Sequence, residues 1–196
     1  MEWIGAGAAS GAGTLSLLAG RRFLAADRPF LIVDYKRQVY PVALAALGFD
    51  LSRLLVVRPN CERDALWTCE EALRSGAVDI AWASVERLSG IAFRRLQLAA
   101  EQSRAVGFLV RPAGAIKQPS WADVRLLVAP RPARGESLCI GVEVVYSRGR
   151  PVRSAANVEL DCRGTLREFV CENKTGIVPL VSALADSASA CLQARA

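Results

Sequence analysis

From residue 30 to about residue 110, short unbroken apolar runs alternate with stretches whose apolar positions recur every three or four residues. The runs Phe30-Leu-Ile-Val-Asp34, Leu54-Leu-Val-Val57, 78–83 and 106–110 have strand length and suit strands buried on both faces. Between them, a helix is predicted over 39–47 and stops at Gly48, a residue that enters the left-handed region without penalty. Asn60 is placed to cap a helix over 62–75, with Leu66, Cys69 and Leu73 on one face and Gly76 as its stop. A helix over 89–103 turns Ala92, Leu96 and Ala99 inward, and Arg94, Arg95, Glu101 and Gln102 largely elsewhere. Ahead of all these, Gly5 to Thr14 is glycine-rich and reads as strand end, loop and helix opening. Residues 15–26 then carry Leu17, Leu18 and Phe23 at helical spacing, and Pro29 breaks the pattern. Strands alternating with helices of this length require crossover connections, hence an α/β fold with a mainly parallel sheet flanked by helices.

After Pro112 the rhythm changes. Strands are predicted over 124–129, 138–146 and 157–161, separated by Pro-, Arg- and Gly-rich turns with no helix between them, so antiparallel additions to one sheet edge are expected. Thr165-Leu-Arg-Glu-Phe169 and the Ala/Ser-rich end give no element. The expected division is a core over 1–162 and a weakly ordered tail over 163–196.

With 52% hydrophobic and 22% charged residues, 196 residues suffice for one sizeable core. A formal charge of +6 favours an acidic partner, nucleic acid included. Nearly all the cations are Arg, which a GC-rich genome writes by default, so a solvated basic surface is an equal reading. The cations cluster as Arg21-Arg22, Lys36-Arg37, Arg94-Arg95, Arg131/Arg134 and Arg148/Arg150/Arg153. Six Cys lack any CxxC pair and the chain has no His, which excludes a zinc site and a Cys/His nucleophile and fits buried thiols in a reducing cytoplasm. The uncharged stretch from Trp3 to Gly20 follows no basic residue and is too weakly apolar in its first half for a leader or a membrane span. Trp67 and Trp82 read as core residues, with Trp3 and Trp121 undecided.

A family pattern emerges from specific residues. Ala46-Leu-Gly-Phe-Asp-Leu-Ser-Arg-Leu-Leu55, Arg58-Pro59, Glu70-Glu-Ala-Leu-Arg-Ser-Gly-Ala-Val-Asp79 and Ser84-Val-Glu-Arg-Leu88 closely resemble the RecA core. Asp64-Ala-Leu-Trp67, Arg94-Arg-Leu-Gln-Leu-Ala-Ala-Glu101 and Phe108-Leu-Val-Arg-Pro112 are most similar to ImuA, a RecA-related partner in translesion mutagenesis. The resemblance covers about residues 5–150.

RecA proteins hydrolyse ATP through a loop G-x-x-x-x-G-K-[ST], whose amides cradle phosphate, whose Lys reaches the terminal phosphates and whose hydroxyl holds magnesium. By resemblance the matching place is Ala6 to Gly13, and the residues of this degenerate loop are Gly7, Ser10, Gly11, Ala12, Gly13 and Thr14. Gly11 keeps the second glycine, Ala12 replaces the Lys and Gly13 the hydroxyl residue, with Thr14 beside it. Lys36 stands where the catalytic Glu belongs, Ser84 where the metal-holding Asp belongs, and Arg111 where the nucleotide-sensing Gln belongs. Losing charge compensation, metal binding and water activation together removes several kcal/mol each, as an order of magnitude, from transition-state stabilisation. The chain is therefore expected to have no catalytic residues, no resident metal and no obligatory cofactor. Weak anion or nucleotide binding stays open, because a helix N-terminus still offers free amides.

The resemblance implies an adaptor that binds RecA and an ImuB-like polymerase-family protein. Lys36, Arg37, Arg94, Arg95, Arg148 and Arg150 are candidate contacts to a partner or to DNA. The alternatives are a residual ATPase or nucleotide-gated DNA-binding switch, motivated by Gly11, Thr14 and Asp34, and a cell-division inhibitor of the SulA type, which shares a RecA-like core.

Overall fold

The computed structural model describes residues 1–7, 9–24, 28–132, 137–149, 154–161 and 164–169. Along the chain run β1 (Glu2–Gly5), α1 (Ala12–Arg21), β2 (Phe30–Val33), α2 (Pro41–Ala46), β3 (Leu54–Val57), α3 (Glu62–Ser75) and β4 (Ile80–Ser84). These are followed by α4 (Gly90–Gln102), β5 (Val106–Pro112), β6 (Val124–Pro130), β7 (Leu138–Ser147), β8 (Ala155–Leu160) and β9 (Leu166–Phe169). The strands form one sheet in the order β3-β2-β4-β5-β1-β6-β7-β8-β9. From β3 to β6 all neighbours are parallel, and from β6 to β9 all are antiparallel.

Alternation along each parallel strand splits the core between two faces. Trp3, Phe30, Ile32, Ile80, Trp82, Phe108 and Leu126 pack with Leu15 and Leu17 of α1 and Leu44 of α2. Leu31, Val33, Ala81, Ala83 and Leu109 pack instead with Ala65, Cys69 and Leu73 of α3 and Phe93, Leu96 and Ala99 of α4. Helices on both faces are what leaves the central strands fully apolar.

The α/β class, the parallel core and the antiparallel C-terminal strands follow the sequence pattern, with local differences. The apolar run Leu54–Val57 is an edge strand among the described residues, and its Leu55 is 49% exposed. β6 is parallel to β1, not the first antiparallel addition: residues 113–123, opening with a 3-10 turn at Ala113–Lys117, carry the chain back without a helix. α1 begins at Ala12 and ends at Arg21, so the predicted helix over 15–26 is displaced toward the glycine loop. Cys61, not Asn60, is the N-cap of α3, and its side chain makes no capping hydrogen bond. In α4 the inward residue of the first turn is Phe93, with Ala92 half-buried. The Ser89 hydroxyl caps that helix by accepting from the amide of Ala92 at 3.2 Å.

Trp3 and Trp82 are buried, whereas Trp67 is 61% exposed, which reverses its reading as core. The uncharged stretch at the start is the buried strand β1 running into α1, and among the described residues no helix is long and apolar enough to cross a membrane.

Beyond residue 162, Leu166–Phe169 form β9, where no element was expected. The turn that makes this possible is local: the Asp161 carboxylate accepts from the Thr165 amide at 2.8 Å, and Gly164 adopts φ 77°. The rest of the predicted tail, 170–196, lies outside the described residues.

Cys61 is exposed, while Cys69 and Cys139 are buried. Burial pushes the Cys69 thiol up to about 12. Alkylation of the native protein at neutral pH is expected to modify Cys61 and to spare Cys69 and Cys139, read by peptide mass mapping; rapid labelling of Cys69 would contradict this packing.

A glycine-loop cavity at the carboxyl ends of the parallel strands

A cavity of about 580 Å³ opens where β1, β2, β4 and β5 end, the usual place for a ligand crevice in an open α/β sheet. It brings together the predicted Gly7, Ser10, Gly11, Ala12, Gly13 and Thr14 with Lys36, Ser84 and Arg111. Residues as far apart in sequence as Gly7 and Arg111 are gathered because parallel strands put all their carboxyl ends on one side.

The glycine loop is shaped by packing as well as by its amides. Gly11 has φ 79°, and a Cβ there would sit 2.6 Å from Cδ1 of the buried Ile140. Behind it, Ser16 ties α1 to the sheet: its hydroxyl donates to the Gly13 carbonyl at 2.8 Å and accepts from the Trp82 indole at 2.8 Å.

Asp34 is a turn organiser. Its buried carboxylate accepts from the amides of Gln38 at 2.8 Å and Val39 at 3.1 Å, with Arg58 3.5 Å away. Lys36 donates to Glu86 at 2.5 Å, two residues beyond Ser84. That hydrogen bond raises the Lys36 ammonium and lowers the Glu86 carboxyl relative to their ordinary values. Glu62 holds the same loop, accepting from the amides of Glu86 at 2.6 Å and Arg87 at 3.0 Å. Burial is the main cause that raises the Tyr35 phenol beside them, with Glu62 adding to it.

Arg111 reaches the cavity wall, but its guanidinium is buried elsewhere. It donates to Glu2 at 3.0 Å and to Gln118 at 2.7 Å, and Glu2 also accepts from Arg125 at 2.6 Å and Ser120 at 2.8 Å. This fully buried carboxylate network escaped the sequence reading, since a single Glu at position 2 carries no motif.

The remaining cations do not converge. Arg37 is exposed with φ 55° near the cavity mouth. Arg94 lies 4.9 Å over the Trp121 ring, Arg95 pairs with Glu70 at 2.9 Å, and Arg148 pairs with Asp123 at 3.1 Å and Glu101 at 3.5 Å. Arg150 lies outside the described residues.

Chemically, the cavity offers amides at the start of α1 but a poor donor set for a magnesium-bound triphosphate. Ala12 supplies no cation, Lys36 is neutralised by Glu86, and Asp34 is spent on its own turn. Replacing Lys36 with Met is expected to return the Glu86 carboxyl toward its ordinary range, followed by NMR titration. The sign follows from the lowered value: the pair's stabilisation holds at neutral pH and is lost as pH falls through the depressed Glu86 titration. An unchanged Glu86 titration would rule out the pair.

The class this architecture defines is an α/β sheet with a glycine loop leading into the first helix at its carboxyl edge. No family model matches the chain. Protein RecA of Clostridium novyi (strain NT) is 40% identical over 48 residues, a match spanning 24% of this chain and 14% of that protein. The crystal structure of SulA from Pseudomonas aeruginosa superposes with a TM-score of 0.51 at 23% identity, covering 57% of this chain and 96% of SulA, a likeness of fold.

Proposed function

We propose that the chain is a non-hydrolysing RecA-like adaptor of the ImuA kind, cytoplasmic, that binds RecA and an ImuB-like polymerase-family protein during the bacterial response to DNA damage. The observation that carries this reading is the Lys36–Glu86 pair at 2.5 Å: the position that would activate water holds a cation, and the nearest carboxylate beyond β4 is bound to it. The short RecA match and the ImuA-like motifs support the family side of the proposal. Surface plasmon resonance of the purified chain against RecA filaments and against an ImuB-like protein tests it, with saturable binding to at least one expected. Absence of both would overturn the adaptor reading. DNA-stimulated phosphate release lost on changing Thr14 would instead favour a residual ATPase or nucleotide-gated switch.

A second reading, a cell-division inhibitor of the SulA type, is favoured by the superposition that takes in 96% of SulA. Filamentation on expression, with no binding to RecA, would select it.

A further inference from the structure

One wall of the glycine-loop cavity is built unlike the rest. Strand ends, the glycine loop and Leu17 of α1 form the others, whereas Tyr40, Ala43, Leu44 and Leu47, in and beside α2, form this one. An amphipathic helix of this length normally buries about three residues. α2 buries Leu44, 3% exposed, while Pro41, Val42, Ala43, Ala45 and Ala46 are exposed, because about 580 Å³ of cavity lies beneath it where packed core would be.

The segment is fixed at both ends and lightly held between them. Upstream, the buried Asp34 carboxylate accepts from the amides of Gln38 and Val39. Downstream, Phe49 is 5% exposed and meets Phe30 edge-on with ring centroids 5.7 Å apart. Tyr40, extended at φ −107°, and Gly48, left-handed at φ 80°, join α2 to these anchors. Residues at the ends of an element are the positions that absorb hinge motion. Leu44 and the half-buried Leu47 pack beneath the helix. From outside, the Arg21 guanidinium donates to the Leu47 carbonyl at 2.5 Å, beside the close approach of Gly164 to Leu47. On the adjoining side of the cavity Lys36 and Glu86 are joined to each other, so that wall is tied across.

We propose that α2 is a gate: residues 41–47 leave the cavity wall between Tyr40 and Gly48 while the rest of the fold stays intact, and bulky solutes then reach the glycine loop. Opening withdraws Leu44 and breaks the Arg21 latch, far less than global unfolding requires. A helix of six residues does not persist once detached. The amides of Leu44, Leu47 and Phe49, now bonded to the carbonyls of Tyr40, Ala43 and Leu44, are therefore released together.

Hydrogen exchange of the full chain and thiol labelling inside the cavity test the gate. The Leu44, Leu47 and Phe49 amides are expected to exchange about a hundredfold faster than those in the middle of α3. In a Leu17→Cys variant, a bulky maleimide, located by peptide mass mapping, should label position 17 well before the native Cys69, which is buried on the other face of the sheet and reports global opening. Arg21→Met should speed both α2 exchange and labelling at position 17 by about tenfold, leaving Cys69 unchanged. Exchange of α2 at the α3 rate in the wild type, labelling at position 17 that only keeps pace with Cys69, or an Arg21→Met protein whose α2 exchanges faster with no faster labelling would each overturn the proposal.

Discussion

Replacing Glu2 with Ala is expected to lower the unfolding free energy by about 3–5 kcal/mol, read as a fall in the urea midpoint. Glu2 is fully buried and is the shared acceptor for Arg111, Arg125 and Ser120. Removing it leaves the Arg111 guanidinium, 1% exposed, with Gln118 as its partner and no opposing charge, and leaves Arg125 with the Ala115 carbonyl alone. Against a typical total of about 5–15 kcal/mol, such a loss would leave a marginal fold. Arg111→Met should cost less, because Glu2 then keeps Arg125 and Ser120. A Glu2→Ala protein that unfolds at the wild-type midpoint would show that the network contributes nothing.

Gly11→Ala is the second large effect. A left-handed backbone costs a residue with a Cβ about 1–2 kcal/mol, and the added methyl would meet Ile140 at 2.6 Å in a packed core, where overpacking typically adds about 1–3 kcal/mol. Gly7→Ala is the matched control: its Cβ would meet nothing within 4 Å, and a change within about 0.5 kcal/mol is expected. Thermal denaturation of the pair separates a glycine kept for packing from one kept for a ligand. Equal stability of the two variants would remove the packing argument.

These two sites also show what was and was not legible in the residues. The buried runs such as Phe30–Val33 announced themselves because parallel strands covered on both faces must be apolar throughout. Leu54–Val57 looks the same in sequence, yet lies at the edge, since position in a sheet is set by the partners that form and not by the strand's own composition. The cavity residues could be named in advance because a glycine-rich loop and strand ends are local features. Their pairings could not: Lys36 finds Glu86 across two connections, and Glu2 finds Arg111 and Arg125 across most of the core. β9 was missed for the opposite reason, a purely local turn at Asp161 and Gly164 whose signal is only four residues long. Trp67 was misplaced because helical spacing marks a face without saying whether anything covers it.

The place of β1 has a temporal consequence. Glu2 lies opposite Leu109 on one side and Arg125 on the other, so the strand nearest the N-terminus is the wedge between segments made more than a hundred residues later. During synthesis the β2–β4 unit can assemble on its own neighbours, but the middle of the sheet stays open until Val124–Pro130 has left the ribosome. Closing it pairs the most distant contacts last, which favours slow folding and exposes an apolar seam to chaperones in the interval.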